Sequence, residues 1–153
     1  MMFRYLKKFF LCLLFTIISA LVLIFTYHQI CLTKEQKLLD NPSGRLVQVD
    51  GKKMNVYVTG QGDKTLVFLA GGGTTSPTLD FKILYSKLEQ DYRIVVVERL
   101  GYGFSDDSQG DSRDIDTVLA QTRQALQKAE IKGPYTLIAH SIAGLEALHW
   151  AAT

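Results

Sequence analysis

A serine that follows a short apolar strand is the residue in this sequence best placed to do chemistry. The run Tyr135–Gly144 reads as a strand that leads to Ser141 and then opens a helix. A tight strand-to-helix turn would project the Ser141 hydroxyl above the sheet, beside backbone N–H groups at the positive end of the helix. That geometry favours attack on an acyl carbon. The alternative is a serine that only caps the helix N-terminus.

A glycine-rich loop could assist such a nucleophile. The residues Gly71-Gly72-Gly73-Thr74 follow the apolar run Thr65–Ala70, which predicts a strand buried on both faces. The loop could aim the amide of Gly72 or Gly73 at a developing oxyanion, with the amide of Ile142 as its partner. The alternative is an ordinary flexible turn. A phosphate-binding loop is disfavoured because no lysine-serine pair follows the glycines.

A second turn, Glu98–Ser105, follows another buried strand. Its Gly101-x-Gly103 pair could suggest a dinucleotide site, but that fingerprint needs a third glycine and a helix that opens at once. We therefore expect a structural turn that borders the site. We expect Glu98 and Arg99 to take part in an ion pair or a hydrogen-bond network rather than in catalysis.

Together the three motifs resemble the α/β-hydrolase family, of the serine hydrolase type. The glycine loop matches the family's oxyanion loop, Glu98–Ser105 matches its acidic-x-x-G-x-G-x-S turn, and Ser141 lies where its G-x-S-x-G elbow belongs. The resemblance covers roughly residues 45–153. It departs from the pattern at Ala139 and Ala143, which replace the usual glycines. Dehalogenase or epoxide-hydrolase chemistry is disfavoured, since those members use aspartate at the elbow.

The resemblance implies that the catalytic acid and histidine follow the serine in the chain. His140 is adjacent to Ser141, where neighbouring side chains diverge, and His149 lies about 12 Å along the helix, so we expect both to be packing or surface residues. We thus expect the N-terminal portion of a serine hydrolase, without its base. The alternative is an inactive truncated product or a membrane-tethered binding module, so whether this chain is itself an enzyme stays open.

The apolar patterns predict the elements that hold these motifs. Helices alternate with buried strands, which indicates an incomplete, mainly parallel α/β sheet with helices on both faces. A hairpin is expected at Asp50-Gly51, with Met54, Val56 and Val58 on one buried face. The expected strands are 45–49, 52–59, 65–70, 92–97 and 135–139, and the expected helices are 80–88, 114–129 and 142–152.

The strand at 135–139 should be central in the family's sheet. Left as an edge, it would expose unpaired backbone groups. We therefore expect self-association through this unpaired sheet edge and poor solubility of the isolated chain.

The N-terminal region predicts a membrane anchor. Residues 9–27 carry no charge and are long enough for a transmembrane helix, which we interpret as an uncleaved signal anchor in contact with the lipid bilayer. Residues 1–8 form a basic flank, which predicts an N-terminus inside and an extracytoplasmic domain. Residues 28–44 form a linker, and residues 45–153 form the truncated hydrolase domain.

Composition excludes several other classes. The chain is 47% hydrophobic and 21% charged, with a net charge of +2, so neither disorder nor nucleic-acid binding is indicated. Cys12 and Cys31 lie in or next to the anchor and match no metal site. We expect no metal and no organic cofactor. The expected partner is a small-molecule acyl substrate, whose type the sequence does not identify.

Overall fold

The computed structural model describes residues 2–37 and 41–153, which fall into two compact units, Met1–Asn41 and Pro42–Thr153. The first unit contains one helix, α1 (Met2–Gln36), whose large apolar side chains are exposed. This helix is long and apolar enough to cross a membrane. At about 1.5 Å per residue it extends roughly 50 Å, more than a hydrocarbon core requires.

Helix α1 continues beyond the apolar run. Residues 28–36, which the sequence analysis assigns to the linker, are helical because no glycine or proline precedes Pro42. The linker residues 38–40 lie outside the described residues. Three threonine hydroxyls within α1, at Thr16, Thr26 and Thr33, each donate a hydrogen bond to the carbonyl four residues earlier. These polar groups are therefore satisfied within the helix, as an apolar environment demands.

The second unit is a five-stranded sheet with four helices, arranged in the strand order β1-β2-β4-β3-β5. The strands are β1 (Arg45–Val49), β2 (Lys52–Thr59), β3 (Thr65–Leu69), β4 (Arg93–Val97) and β5 (Tyr135–Ala139). The helices are α2 (Pro77–Asp80), α3 (Lys82–Tyr85), α4 (Ile115–Lys128) and α5 (Ala143–Ala152).

The sheet is mixed, with its parallel part confined to β4, β3 and β5. Strand β2 runs antiparallel to both β1 and β4. The predicted hairpin joins β1 to β2 through Asp50 and Gly51, which both adopt positive φ (50° and 80°). That conformation suits the type of two-residue turn whose twist matches the flanking strands. The predicted fold class is confirmed, and its parallel character applies to three of the five strands.

Helices cover both faces of this sheet. Alternate residues of the central strands point to opposite sides, so Val67 and Val95 join one core while Phe68 and Val96 join the other. The first core also contains α4 residues and Ala143 of α5. The second contains Tyr85 of α3, and Phe81 packs against it.

Two local predictions are wrong. The helix expected at 80–88 is instead two short helices that begin at Pro77 and are separated by Phe81, because proline favours the first helical turn and the Phe81 ring packs on Phe68, 5.1 Å between centroids. In β2, Val58 is 39% exposed while Asn55 is completely buried. Burial of Asn55 is compensated in part, because its side-chain amide nitrogen donates to the Glu98 carboxylate, while its Oδ1 has no hydrogen-bond partner among the described residues.

Strand β5 lies at one edge of the sheet formed by the described residues, where it pairs with β3. Beside it is an apolar hollow of about 690 Å³, to which β5 contributes Tyr135 and Leu137 and α5 contributes Leu148 and Trp150. Leu148 is 72% exposed. The strand is thus less covered than the other parallel strands.

The carboxylate of Glu98, at the end of β4, is completely buried and holds three segments together. It accepts hydrogen bonds from the Asn55 side chain of β2 (3.0 Å), from the backbone and hydroxyl of Thr78 in α2 (3.3 and 2.8 Å) and from the Phe104 amide (2.7 Å). Four donors offset the cost of burying a charged group. Glu98 is therefore part of a structural hydrogen-bond network, as predicted.

Two glycines of this turn, Gly103 and Gly101, distinguish the cost of backbone strain from the cost of displacing the Glu98 carboxylate. Both have positive φ (52° and 82°), but a methyl group at Gly103 would overlap the Glu98 carboxylate, whereas one at Gly101 would meet nothing within 4 Å. We expect Gly101→Ala to cost about 1–2 kcal/mol of unfolding free energy from backbone strain. Gly103→Ala should cost at least about 2 kcal/mol more, because the carboxylate must leave its donors. Urea-dependent pulse proteolysis of the detergent-solubilised full-length protein measures both, and equal losses would contradict this role of Glu98.

Candidate functional site

Ser141 occupies the turn between β5 and α5 with a left-handed backbone, φ +57°. The turn is fixed on both sides. The His140 amide donates to the Leu69 carbonyl of the neighbouring strand (3.0 Å), and the Ala143 amide donates to the His140 carbonyl (3.1 Å). A left-handed serine is strained, and strain of this kind concentrates at functional sites. Such a strained turn is also how a serine is presented at the top of an α/β sheet.

The glycine loop after β3 lies directly against this turn. A methyl group at Gly71 would lie 3.0 Å from Ser141 Cβ and 3.0 Å from His140 Nδ1, and one at Gly72 would lie 3.6 Å from Ile142 Cγ2. Gly71 therefore gives the loop room to approach the serine. The structure thus brings together the serine and the loop, as the sequence motifs suggest.

The loop amides differ in their bonding. The Gly73 amide donates to the Tyr102 hydroxyl (3.3 Å). Within residues 41–153, the structure shows no acceptor that is hydrogen-bonded to the Gly72 or Ile142 amide. Of the two glycines named from the sequence, Gly72 is thus the one whose amide has no acceptor within these residues, and the same holds for the Ile142 amide.

Arg99 connects the loop to α5. Its guanidinium group donates to the carbonyls of Ala70 and Gly71 and forms an ion pair with Glu146 of α5. The same group stacks over the Tyr102 ring at 5.0 Å. The expected ion pair of Arg99 is therefore formed with Glu146, and Arg99 contacts both the glycine loop and α5.

Glu146 is the site residue that the sequence analysis missed. It shares a helix face with the buried Ala143, and the spacing of three residues is the only sequence signal for its inward position. Burial raises the pKa of Glu146, while the Arg99 and Arg113 guanidinium groups oppose that rise. Glu146 also lines a cavity of about 280 Å³ together with Gly72, Ile142 and Arg113.

The two histidines near the site are engaged elsewhere. His140 lies edge-on to the Phe81 ring, with 6.5 Å between centroids, and His149 Nε2 is 2.7 Å from Asp116 Oδ1 of α4. Among the described residues, neither ring is hydrogen-bonded to Ser141. Both therefore contact other side chains, in agreement with the packing and surface roles expected of them.

The part of the chain that the structure describes contains no group of three or more histidine, cysteine, aspartate or glutamate side chains placed to hold a metal ion.

The two alanines that replace the usual glycines of the elbow differ in their burial. Ala143 is completely buried in the core, whereas Ala139 is exposed at the sheet edge.

A family model described as the alpha/beta hydrolase fold matches residues 64–153. The YbdG protein of Bacillus subtilis (strain 168), described as uncharacterized, is 50% identical over 144 residues, which cover 91% of this chain and 44% of that protein. The chain thus spans less than half the length of this curated relative.

Solved structures show the same fold. A meta-cleavage product hydrolase from Pseudomonas fluorescens superposes with a TM-score of 0.63 at 19% identity, covering 71% of this chain and 39% of that one. An esterase from Exiguobacterium antarcticum superposes with a TM-score of 0.60 at 26% identity, covering 72% and 40%.

The raised pKa of Glu146 predicts a pH dependence of stability. The folded state holds this proton at pH values where the unfolded chain has released it, so stability falls as pH rises from about the ordinary value of 4.5 through the raised pKa. Glu146→Gln removes the titrating group and keeps its shape. We expect the unfolding free energy of wild type minus that of Glu146→Gln to be largest at pH 4 and to decline toward pH 7. Urea midpoints at each pH measure the difference, and a difference that grows with pH would show that attraction to arginine outweighs burial.

Proposed function

Because the chain belongs to the α/β-hydrolase family, we propose that it carries the nucleophile and oxyanion-binding part of a membrane-anchored serine hydrolase. The bond cleaved is an ester, an amide or a similar acyl bond. One observation carries the proposal, namely the left-handed Ser141 at a strand-to-helix turn with Gly71 packed against it.

In the proposed reaction, the Ser141 oxygen attacks the acyl carbon and forms an acyl-enzyme as the leaving group departs. The carbonyl oxygen becomes negatively charged in the tetrahedral intermediate and accepts hydrogen bonds from the amides of Gly72 and Ile142. The positive end of α5 adds to this stabilisation. Water then releases the acyl group from Ser141, so the cycle needs no metal or organic cofactor.

The reaction requires a base that takes the serine proton and then donates it to the departing alcohol or amine. In the family's chain order the catalytic acid and histidine follow the nucleophile, and we place both outside residues 1–153. His140 and His149 are poor substitutes. Among the described residues neither ring is hydrogen-bonded to Ser141, and His149 lies about 12 Å along α5 from it. The short coverage of the relatives is consistent with this placement.

The proposed anchor is α1. Its exposed apolar surface and internally bonded threonines suit a lipid environment. Arg4, Lys7 and Lys8 precede the apolar run, which favours a cytoplasmic N-terminus and an extracytoplasmic catalytic domain.

The nucleophile is tested by labelling native membranes with a fluorophosphonate, which reacts preferentially with an activated serine. We expect label on the peptide that contains Ser141, in a protein larger than 17.2 kDa, the mass of this chain. Ser141→Ala should abolish the label. Ser86→Ala should retain it, since Ser86 is exposed and bonds only within its own turn.

Other outcomes of the labelling are equally informative. Label on Ser141 at 17.2 kDa would contradict the external base and implicate His140, His149 or a second chain. The absence of label with the protein present would favour an inactive product or a membrane-tethered binding module.

Anchoring and orientation are tested in cells. We expect the protein to stay in the membrane pellet after alkaline carbonate washing, because burial of the apolar run outweighs the electrostatic contacts that such washing disrupts. External protease should digest residues 42–153 in intact cells. Protection in intact cells with digestion after permeabilisation would overturn the orientation, and release by carbonate would overturn the anchor.

A further inference from the structure

Arg99 contacts each of the two segments that supply the proposed oxyanion donors. We propose that Arg99 is a positioning residue that sets the Gly72 amide of the loop and the Ile142 amide of α5 to face one oxyanion. The inference rests on the proposed function, because it concerns the same site.

On the loop side, Arg99 Nη2 donates to the carbonyls of Ala70 and Gly71, the latter at 3.0 Å. The Gly71 carbonyl and the Gly72 N–H belong to one planar trans peptide, in which they point in opposite directions. A hydrogen bond that draws the Gly71 carbonyl toward Arg99 therefore fixes the direction of the Gly72 N–H. Glycine offers little conformational resistance of its own, so this orientation depends on an external contact.

On the helix side, Arg99 Nη1 pairs with Glu146, which lies four residues after Ile142 and thus on the same side of α5. Both side chains of this pair are only 11% exposed. The pair ties the first turns of α5 to the arginine that holds the loop. Gly72, Ile142, Arg99 and Glu146 also line the same cavity of about 280 Å³.

Tyr102 completes the arrangement. Its ring lies under the Arg99 guanidinium, and its hydroxyl accepts the Gly73 N–H at 3.3 Å. The loop is thereby held at Gly71 by a carbonyl contact and at Gly73 by an amide contact, with Gly72 between them.

The geometry requires arginine rather than another cation. One guanidinium reaches three acceptors in fixed directions, whereas a lysine ammonium is a single point on a flexible stem. Arg99 Nε is buried without a hydrogen-bond partner, which is a cost to stability. The side chain is therefore placed by its Nη contacts to the loop and to α5.

The matched control is Arg123. Its guanidinium likewise stacks over an aromatic ring at 5.0 Å and likewise contacts α5, but it does so at the far end of the helix, where Trp150 supplies both the ring and the carbonyl that accepts its hydrogen bond. Lysine at either position should perturb α5 packing to a similar degree. Only lysine at position 99 should disturb the amide donors.

The test compares full-length wild type, Arg99→Lys and Arg123→Lys on a p-nitrophenyl acyl ester. We expect Arg99→Lys to lower kcat by tenfold or more with KM changed less than about threefold, because the donors act on the transition state. Arg123→Lys should keep kcat within about twofold. The ratio of kcat for the ester to kcat for its thionoester should also decrease in Arg99→Lys. Sulfur is a weak hydrogen-bond acceptor, so turnover of the thionoester gains little from the Gly72 and Ile142 amides in the wild type.

Three outcomes would overturn the inference: equal losses of kcat in both variants, a change in KM alone, or an unchanged ester-to-thionoester ratio in Arg99→Lys. If Arg99→Lys does not fold, Glu146→Gln replaces it, with a smaller loss of kcat and the same change in ratio expected. Turnover that survives Ser141→Ala would instead refute the proposed function. Turnover that requires Ser141 but is insensitive to position 99 would refute the role of Arg99 alone.

Discussion

The buried carboxylate of Glu98 is the constraint on which the site end of this fold depends. A charge removed from water must be compensated by donors, and here the donors come from β2, α2 and the turn after β4. Satisfying that one group fixes the turn and the start of α2. It also fixes the end of β4, from which the next residue, Arg99, extends to the glycine loop and α5. Glu98 and Arg99, which are adjacent in sequence, therefore organise different segments at the same end of the sheet, beyond the carboxyl end of β4.

The Glu98 carboxylate and the Arg99 guanidinium group differ in how completely hydrogen-bond partners compensate their burial. Three of the four donors to Glu98 lie at 2.7–3.0 Å and the Thr78 amide lies at 3.3 Å, and all four are neutral groups. Arg99 instead pairs with a carboxylate that burial makes harder to ionise, and it leaves one nitrogen without a partner. The Glu98 network has the character of a structural element. The Arg99 contacts are less complete and lie next to the strained serine.

Much of the fold could be predicted from local patterns. The structure confirms the strands predicted at β3 and β4 from apolar runs and the helix predicted at α4 from its apolar spacing. These elements could be predicted because each pattern depends only on residues that are close in sequence. Asp114 is the N-cap of α4, and its carboxylate accepts from the Thr117 amide. Hydrogen bonds from Ser112 and Thr117 hold its pKa below the ordinary range. The Asp50-Gly51 hairpin likewise follows from two residues that tolerate positive φ.

The remaining features depend on contacts between distant parts of the chain. The sequence alone would place Asn55 at the surface, because its partner Glu98 lies 43 positions away. Glu146 reads as an ordinary helix residue until Arg99 is seen 47 positions away. For the candidate site, the motifs predicted which segments would meet, but not which glycine amide would be engaged by Tyr102. Periodicity carries no information about such pairs.

The left-handed backbone at Ser141 has an implication for protein engineering. Glycine adopts this conformation without a steric penalty, so a design procedure that optimises folding alone would favour glycine over serine at position 141. Such a redesign would delete the side chain of the proposed nucleophile. Mutagenesis for stability should therefore leave position 141 unchanged, because the residue type with the least backbone strain there has no hydroxyl group.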